Sequence, residues 1–330
     1  MTTVFVVGAG RFGRNYIKVL SGWKAAEPGQ WPTVDILIVS RTQATTAQAM
    51  AAEIAAQPTC PFKQVIGVAV ADEAQLRTAL DHHQPDLTCI VARDRVRGDD
   101  IHAAYALPAL DVGAVLCEKP FCRAGGEGAG LAQARALLDH PRADRFGLEL
   151  PMFVMARAMF EDPRLESMLR QAKRIDYVWQ KPTDENDLLD DLALHPWSLI
   201  PNTWQTNVEQ VTPIPGGLEI GLRLQTDGPD RRVIPATIRL SAGGTFRGMR
   251  IDNQPFGFVF AEGRLQLRAY DAPWSALIGG EIPDPPYQCQ LAVANPLAQH
   301  IQAVLNHHPL VDTHQTYRSQ QFLEAVRGRP

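Results

Sequence analysis

The stretch TVFVVGAGRFG, residues 3–13, decides the fold. An apolar run, Val4–Val7, leads directly into the pattern G-x-G-x-x-G at Gly8, Gly10 and Gly13. The first glycine permits a tight turn, the second lets the backbone approach a pyrophosphate, and the third lets the next helix pack closely on the strand. Because the N-terminus of that helix favours an anion, the pattern predicts a dinucleotide-binding loop. A strand–helix turn without a ligand is the alternative.

Working outward, apolar and helical segments alternate through the first half of the chain. The apolar runs are rich in Val, Ile and Leu with little alternation, which is typical of parallel strands covered by helices on both faces. The predicted strands are Thr3–Val7, Val34–Val39, Gln64–Val70, Asp86–Ala92, Ala114–Cys117 and Arg145–Leu150. The predicted helices between them are Arg11–Leu20, Ala44–Ala56, Glu73–His82, Ile101–Leu110 and Ala124–Asp139. This order predicts a doubly wound α/β sheet.

The second half follows a different period. Apolar residues alternate with polar ones from Leu218 to Leu224, and the same period returns at Ile238, Leu240 and Leu265. Alternation of this kind predicts an antiparallel sheet with one apolar face and one wetter face. Two helices are predicted at the end of the chain, about residues 296–306 and 312–327.

The length of 330 residues predicts two domains, since single cores rarely grow past about 250–300 residues. We place the dinucleotide-binding domain at residues 1–122, extending to about 150 if the last parallel strand is counted. Residues 123–330 are expected to form a substrate-binding and oligomerisation domain of α+β class. We expect the last helix to dock back on the first domain.

Composition excludes several classes of function. The net charge is −4 and the sequence pI about 6.1, so a basic nucleic-acid footprint is not expected. No apolar run reaches the roughly 18–20 residues that span a bilayer. The chain opens on a strand rather than a basic signal region, and its five cysteines are scattered. We therefore expect a cytoplasmic protein with reduced thiols, no metal site, no membrane partner and no nucleic-acid partner.

The residues after the second strand indicate the choice of cofactor. An acidic side chain there would bind the ribose 2′-hydroxyl of NAD, but the chain has Ser40, Arg41 and Thr42 instead. Asp35 lies at the start of the strand, about 15 Å too early at roughly 3.3 Å per residue. Arg41 suits a 2′-phosphate, which two hydroxyls would support. We predict a preference for NADP(H), with NAD(H) possible; a solvated turn arginine is the alternative.

The sequence Glu118-Lys119-Pro120 directly follows the fifth strand. Ligands of doubly wound sheets lie beyond the carboxyl ends of the strands, so Lys119 is expected at the mouth of the cofactor cleft. A partly desolvated lysine beside a cationic nicotinamide exchanges a proton closer to neutral pH. Glu118 is expected to orient Lys119 or bind the cofactor. A surface lysine in a turn is the alternative.

A second candidate cluster is Asp191-Leu192-Ala193-Leu194-His195. An aspartate and a histidine four residues apart share one face of a helix. The carboxylate can stabilise or orient the imidazole, while the ring acts as an acid or a base. A structural histidine is the alternative.

These motifs together resemble the glucose–fructose oxidoreductase / inositol dehydrogenase (Gfo/Idh/MocA) family. The resemblance covers the glycine loop, the segment His102–Gly113, the run Val115–Pro120 and the D-x-x-x-H motif with Pro196 and Trp197 after it. It implies an N-terminal Rossmann domain and a C-terminal α+β domain whose open, mostly antiparallel sheet often mediates oligomers. A homodimer or homotetramer is therefore expected.

The resemblance also implies site residues. Lys119, His195 and Asp191 are expected to line the substrate site as the catalytic group. The residues expected at the dinucleotide are Gly8, Gly10, Arg11, Phe12, Gly13, Ser40, Arg41, Thr42, Ala92, Arg93, His102, Glu118 and Lys119.

Three positions depart from the family pattern. The segment Ala92–Gly98 replaces a small residue and a proline, Glu149–Phe153 replaces a basic or aromatic pattern, and Ser198 replaces a carboxylate. These departures argue against an ordinary polyol substrate. The arginines of the first segment either bind an anionic substrate or, as we favour, lie in a solvated basic loop.

The predicted function is NADP(H)-dependent hydride transfer between nicotinamide and a C=O/CH–OH carbon of a sugar-like or cyclic small molecule. Lys119 would supply the proton, His195 would share or relay it, and Asp191 would hold His195 in place. Three alternatives stay open: an imine or ketone reductase of secondary metabolism, a non-catalytic cofactor-binding sensor, and a glycosidase with tightly held NAD.

Overall fold

The computed structural model describes residues 1–26, 33–93, 101–122, 129–184, 187–261, 263–269 and 290–329. The chain forms two compact units. The N-terminal unit comprises Met1–Glu149 and Leu297–Gln320. The C-terminal unit comprises Leu150–Pro296 and Gln321–Pro330.

The N-terminal unit is built on a six-stranded sheet in the order β3-β2-β1-β4-β5-β6. Its strands are β1 (Thr2–Val7), β2 (Val34–Arg41), β3 (Gln64–Ala69), β4 (Leu87–Ile90), β5 (Ala114–Glu118) and β6 (Phe146–Glu149). All five pairings are parallel, and this strand order is that of a Rossmann fold. The predicted doubly wound sheet is confirmed.

The C-terminal unit holds an eight-stranded sheet in the order β14-β13-β12-β11-β7-β10-β9-β8. Its strands are β7 (Ile175–Lys181), β8 (Gln205–Ile214), β9 (Gly217–Gln225), β10 (Val233–Ala242), β11 (Arg247–Ile251), β12 (Gln254–Ala261), β13 (Arg264–Ala269) and β14 (Gln290–Val293). Only β7 and β10 pair in parallel among these described strands. The predicted mostly antiparallel sheet is confirmed, with Ile220, Leu222 and Leu224 buried on one face as the period-two pattern requires.

Helices connect and cover the two sheets. They are α1 (Gly13–Ala26), α2 (Ala44–Ala55), α3 (Glu73–His83), α4 (Ile101–Leu110), α5 (Ala129–Leu138), α6 (Pro151–Glu161), α7 (Pro163–Gln171), α8 (Leu188–Leu192), α9 (Leu194–Trp197), α10 (Pro296–Leu305) and α11 (Thr313–Arg327). The expected helix Ala124–Asp139 begins at Ala129 in the described part of the chain, and residues 123–128 lie outside it.

The core of the N-terminal unit includes residues from the end of the chain. Ile301 and Val304 of α10 are fully buried in the same apolar cluster as Val4 and Leu116. A side chain at Gly147 of β6 would lie 2.5 Å from a methyl carbon of Val304, so α10 packs closely on that strand. The sheet is thus covered partly by a helix that follows the second sheet in sequence.

Local chemistry sets several boundaries. β2 runs two residues further than the sequence predicted, because Ser40 and Arg41 pair with Val68 and Ala69 of β3. The N-cap of α3 is Asp72, whose carboxylate accepts the N–H of Gln75 at 2.8 Å.

Gly67 offers a test of the packing between β3 and α2. A Cβ atom there would lie 2.4 Å from the carbonyl oxygen of Ala47, which is backbone and cannot move aside. We expect Gly67→Ala to lower the free energy of unfolding by about 1–3 kcal/mol, the usual cost of overpacking. The measurement is thermal unfolding of the full chain.

The control is Gly22→Ala on α1, where a new Cβ meets no atom within 4 Å. This substitution should raise the unfolding temperature, because alanine in a helix is favoured over glycine by about 0.5–1 kcal/mol. A neutral Gly67→Ala would contradict the close packing of β3 on α2.

Candidate dinucleotide and substrate sites

The glycine loop connects β1 to α1, and two of its glycines are required by the protein itself. Gly8 has a φ angle of +88°, and a Cβ atom there would lie 2.3 Å from the Cα of Ala92. A Cβ at Gly13 would lie 2.7 Å from the carbonyl oxygen of Gly8. Only glycine permits both the turn and this close approach of backbone to backbone.

Gly10 is different, since a Cβ built there would meet only ordinary van der Waals contacts within the part of the chain that the structure describes. The nearest atom to a Cβ at this position would be Nη1 of Arg41, at 3.6 Å, which is an ordinary contact. Packing therefore does not require glycine here. An open backbone surface at this position is what the approach of a pyrophosphate needs.

The end of β2 holds the glycine loop in place. The Oγ of Ser40 accepts the N–H of Gly8 at 3.1 Å, and the carbonyl of Ser40 accepts the N–H of Ala9 at 3.0 Å. Nη1 of Arg41 donates to the carbonyl of Ala9 at 3.2 Å. Thr42 is exposed. The predicted cofactor-selecting residues thus lie against the loop, and Ser40, which is 1% exposed, also fastens it.

Asp35 has a structural role at the opposite end of β2. Its carboxylate lies 2.7 Å from Nζ of Lys63 and accepts the N–H of Thr2 at 3.0 Å. The hydrogen bond with Lys63 is the largest of the causes that lower the pKa of Asp35. These contacts agree with the expectation that Asp35 is not the ribose-binding acid.

Three further predicted residues border the loop. Arg11 and Phe12 are exposed at its tip, and Phe12 is unusual as a large apolar side chain that is 57% exposed. Arg93 is exposed just beyond β4. Arg95 and Arg97, together with the rest of residues 94–100, lie outside the described residues.

The Glu118-Lys119-Pro120 segment leaves the carboxyl end of β5, the same edge of the sheet as the glycine loop. Glu118 and Lys119 are half-buried, and the peptide bond between Lys119 and Pro120 is cis. Nδ1 of the buried His102, on α4, lies 2.7 Å from the carbonyl oxygen of Pro120 and donates to it. His102 thus anchors the turn that carries Lys119, and a contact of His102 with a dinucleotide stays a prediction.

Two polar residues that were not among the predicted site residues lie beside Glu118. The hydroxyl of Tyr16, on α1, donates to Oε1 of Glu118 at 3.1 Å. Glu149 is the residue of β6 that pairs with Glu118 of β5, and it is 7% exposed. Burial raises the pKa of Glu149 well above its ordinary value; the charge of Glu118 raises it further, while Lys119 opposes the shift. An ionisable residue ending an apolar strand was the available signal for Glu149.

In the C-terminal unit, Asp191 lies in an ion pair. Nζ of Lys181, the last residue of β7, donates to both carboxylate oxygens of Asp191 at 2.6 and 2.9 Å. The hydroxyl of Thr183 donates to the same carboxylate at 3.1 Å. The aspartate is thereby oriented and paired with the ammonium of Lys181.

His195 stacks on the ring of Trp179, with centroids 5.5 Å apart and planes inclined by 14°. The guanidinium carbon of Arg247 lies 6.0 Å from the centroid of the Trp179 ring and forms a cation–π contact with it. Desolvation lowers the pKa of Arg247, and the charge of Asp191 opposes that shift. Trp179, Lys181 and Arg247 are further candidate site residues that the sequence pattern did not single out.

Asp191 and His195 lie on successive short helices, α8 and α9. Ala193 between them has helical angles, φ −62° and ψ −33°, so the two helices continue one another. The interruption comes from Pro196, which has no N–H to donate to the preceding turn. The hydroxyl of Ser198 donates to the carbonyl of His195 at 2.9 Å. The aspartate and the histidine therefore share a face as predicted from their spacing.

The site residues divide between the units. The glycine loop, Arg41, His102, Glu118 and Lys119 belong to the N-terminal unit. Asp191 and His195 belong to the C-terminal unit. The convergence of the two groups on one substrate stays a prediction.

A parallel sheet in this order with a glycine loop after β1 defines a dinucleotide-binding protein. Residues 2–142 match the family model described as "Oxidoreductase family, NAD-binding Rossmann fold". Over this stretch the sequence matches the Gfo/Idh/MocA family of NAD(P)-dependent oxidoreductases. The resemblance predicted from the motifs is confirmed.

Several solved structures share the fold at low sequence identity. A levoglucosan dehydrogenase in complex with NADH is 12% identical with a TM-score of 0.65, covering 99% of this chain and 96% of that one. The UDP-N-acetylglucosamine 3-dehydrogenase GnnA from Acidithiobacillus ferrooxidans is 18% identical with a TM-score of 0.56, covering 98% and 96%. An oxidoreductase from Sinorhizobium meliloti is 13% identical with a TM-score of 0.60, covering 99% and 96%. Among curated proteins, none matches the sequence.

Within the described residues, no helix has both the length and the apolar character needed to cross a membrane.

Gly10 provides the test of the dinucleotide site. We expect Gly10→Ala to leave the unfolding temperature nearly unchanged, because the new Cβ makes only an ordinary contact with Arg41. The same methyl group would keep a pyrophosphate away from the loop, so the Kd for the dinucleotide should rise at least about tenfold, or about 1.4 kcal/mol. Calorimetric titration with NADPH and NADH measures the change.

Gly8→Ala is the contrasting variant, because it should lose stability through backbone overlap with Ala92. Unchanged dinucleotide binding by a stable Gly10→Ala variant would remove the loop from the cofactor site.

Proposed function

We propose that the protein transfers a hydride between NADP(H) and a C=O/CH–OH carbon of a sugar-like or cyclic small molecule. The observation that carries the proposal is the position of Lys119, which is half-buried directly after β5 at the sheet edge that also bears the glycine loop. A proton donor beside the nicotinamide end of a dinucleotide is what carbonyl reduction requires.

The loop fits a nicotinamide dinucleotide. Gly10 exposes backbone on the side where a Cβ would otherwise stand, and α1 begins at Gly13, so the N-terminus of the helix adjoins the loop and favours an anion there. When bound, the cofactor supplies the hydride acceptor or donor at nicotinamide C4. The protein's own residues orient the substrate and handle the proton.

The names of the solved relatives support a sugar-like substrate. Two are named as dehydrogenases, one of levoglucosan and one of UDP-N-acetylglucosamine. Both names denote dehydrogenation of a sugar derivative. An imine or ketone substrate remains the alternative, and a panel of sugars, keto-sugars and cyclic imines distinguishes these classes by NADPH oxidation.

In this mechanism Lys119 donates a proton to the oxygen of the carbonyl being reduced, or removes it from the alcohol in the reverse direction. In the C-terminal unit His195, held flat against Trp179, is the candidate to share or relay a proton. Asp191 is fixed by Lys181 and stands one helical turn before His195, where it would hold the imidazole in place. The predicted dimer or tetramer and the cytoplasmic location stay predictions.

The preference for NADP(H) rests on Arg41. Its guanidinium lies beside Gly10 and donates to Ala9, at the end of β2 where the adenosine ribose is expected. We expect Arg41→Ala to raise the Kd of NADPH at least about tenfold, since a charge-assisted contact contributes about 1.5–3 kcal/mol. The Kd of NADH should change less than about threefold, and calorimetric titration of both cofactors measures this.

Arg77→Ala on α3 is the matched control, because this exposed arginine pairs only with Glu73 among the contacts described. Equal losses for NADPH and NADH in Arg41→Ala would show that the arginine acts by holding the loop rather than by binding a 2′-phosphate.

Lys119 is tested separately. We expect Lys119→Ala to reduce turnover at least about 100-fold, the lower range of general acid–base catalysis, while NADPH binding stays within about threefold. Steady-state assays on the best substrate of the panel and cofactor titration provide the two measurements. The control is Lys18→Ala, an exposed lysine of α1. Turnover at the wild-type level in Lys119→Ala would exclude the lysine from the chemistry.

A further inference from the structure

Two carboxyl groups stand side by side at the carboxyl edge of the N-terminal sheet. Glu118 and Glu149 are register partners in the parallel strands β5 and β6. Register partners point to the same face of the sheet, and neighbouring strands lie about 4.8 Å apart. Carboxylates on register partners of neighbouring strands repel one another, which disfavours a negative charge on both at once.

The surroundings distinguish the two acids. Glu149 is 7% exposed, whereas Glu118 is half-buried at the end of its strand. The hydroxyl of Tyr16 donates to Glu118 at 3.1 Å, and a donor at this position favours a charged acceptor. Burial raises the pKa of Tyr16 well above its ordinary value, and the charges of Glu118 and Glu149 add to the shift. The hydroxyl therefore keeps its proton and remains a donor.

The other titratable groups near the pair belong to three elements. Lys119 follows Glu118 in the chain and favours the charged form of Glu149. Cys89 of β4 lies in the same apolar cluster as Tyr16, and burial holds the pKa of Cys89 far above its ordinary value. His102 bonds to Pro120 on the far side of the turn. Among the described groups named here, Lys119 is thus the cation, and Glu118 is the better placed anion.

We propose that Glu149 carries the proton in the working enzyme, so that Lys119 faces one carboxylate, Glu118, instead of two. Glu149 is then a positioning residue. Because it is neutral, it adds no second negative charge beside Lys119, and it leaves the charge on Glu118. A second negative charge would hold the proton of Lys119 more tightly and make it a poorer acid. The significance for catalysis rests on the proposed function, but the assignment of the proton does not.

The first experiment locates the proton without any substrate. Infrared spectra of the wild type and of Glu149→Gln, taken at neutral pH, are subtracted to show the carbonyl stretch of a protonated carboxyl. We expect this band in the wild type and its loss in Glu149→Gln. Glu118→Gln should retain it, and Glu53→Gln, a surface control whose side chain pairs with Arg14, should match the wild type.

The second experiment measures the charge at Lys119. Competitive acetylation as a function of pH, read by mass spectrometry of the Lys119 peptide, gives the pKa of that lysine in the full-length protein. Glu118→Gln removes the carboxylate and should lower the pKa of Lys119 by about half a unit or more. Glu149→Gln keeps the group neutral, so near neutral pH the labelling of Lys119 should match the wild type.

The proposal is overturned if the protonated-carboxyl band is absent from the wild type, or if Glu149→Gln lowers the pKa of Lys119 as much as Glu118→Gln does. If Glu118→Gln fails to fold, Tyr16→Phe replaces it, since it keeps the buried ring and removes only the hydroxyl. Tyr16→Phe should then shift the frequency of the protonated-carboxyl band, and an unchanged frequency would count against the proposal. If the band and the labelling behave as expected but Lys119→Ala still turns over, the acid pair stands and the proposed function fails.

Discussion

The N-terminal site depends on one contact, the approach of the Gly8 backbone to the backbone of Ala92. A single added carbon at Gly8 would lie 2.3 Å from the Cα of Ala92, so the loop after β1 lies directly on the chain leaving β4. On the other side the loop is bonded to Ser40 at the end of β2. Held between these two strand ends, the loop lies where the order of the sheet reverses, which is where doubly wound sheets bind their ligands.

Much of this fold could be predicted from the sequence, because strands buried on both faces leave unbroken apolar runs. The predicted strand Thr3–Val7 and the predicted helix Ile101–Leu110 agree with the observed bounds to within a residue. The alternation at Leu218–Leu224 was equally informative, since one face of β9 is buried and the other is wetter. In each of these segments the spacing of the apolar residues is enough to indicate the structure.

The parts of the candidate sites that escaped prediction involve residues brought together by strand order. Tyr16 and Glu118 are 102 residues apart, and their contact depends on β5 lying two places from β1 in the sheet. The pairing of Glu118 with Glu149 depends on the register of β5 and β6. Lys181 and Asp191 meet because β7 ends where α8 begins to cover it. No local pattern encodes these relations, whereas Lys119 and His195 stand in recognisable motifs.

The candidate sites of the two units share one electrostatic feature. A proton-transferring group works best when its charged and neutral forms are close in free energy, which an uncompensated neighbouring charge prevents. In the C-terminal unit the carboxylate of Asp191, one turn from His195, is balanced by the ammonium of Lys181. In the N-terminal unit the two acids beside Lys119 are buried unequally, so that one of them can be neutral. Each unit thus limits the net charge around its candidate acid–base residue, by an ion pair in one and by a retained proton in the other.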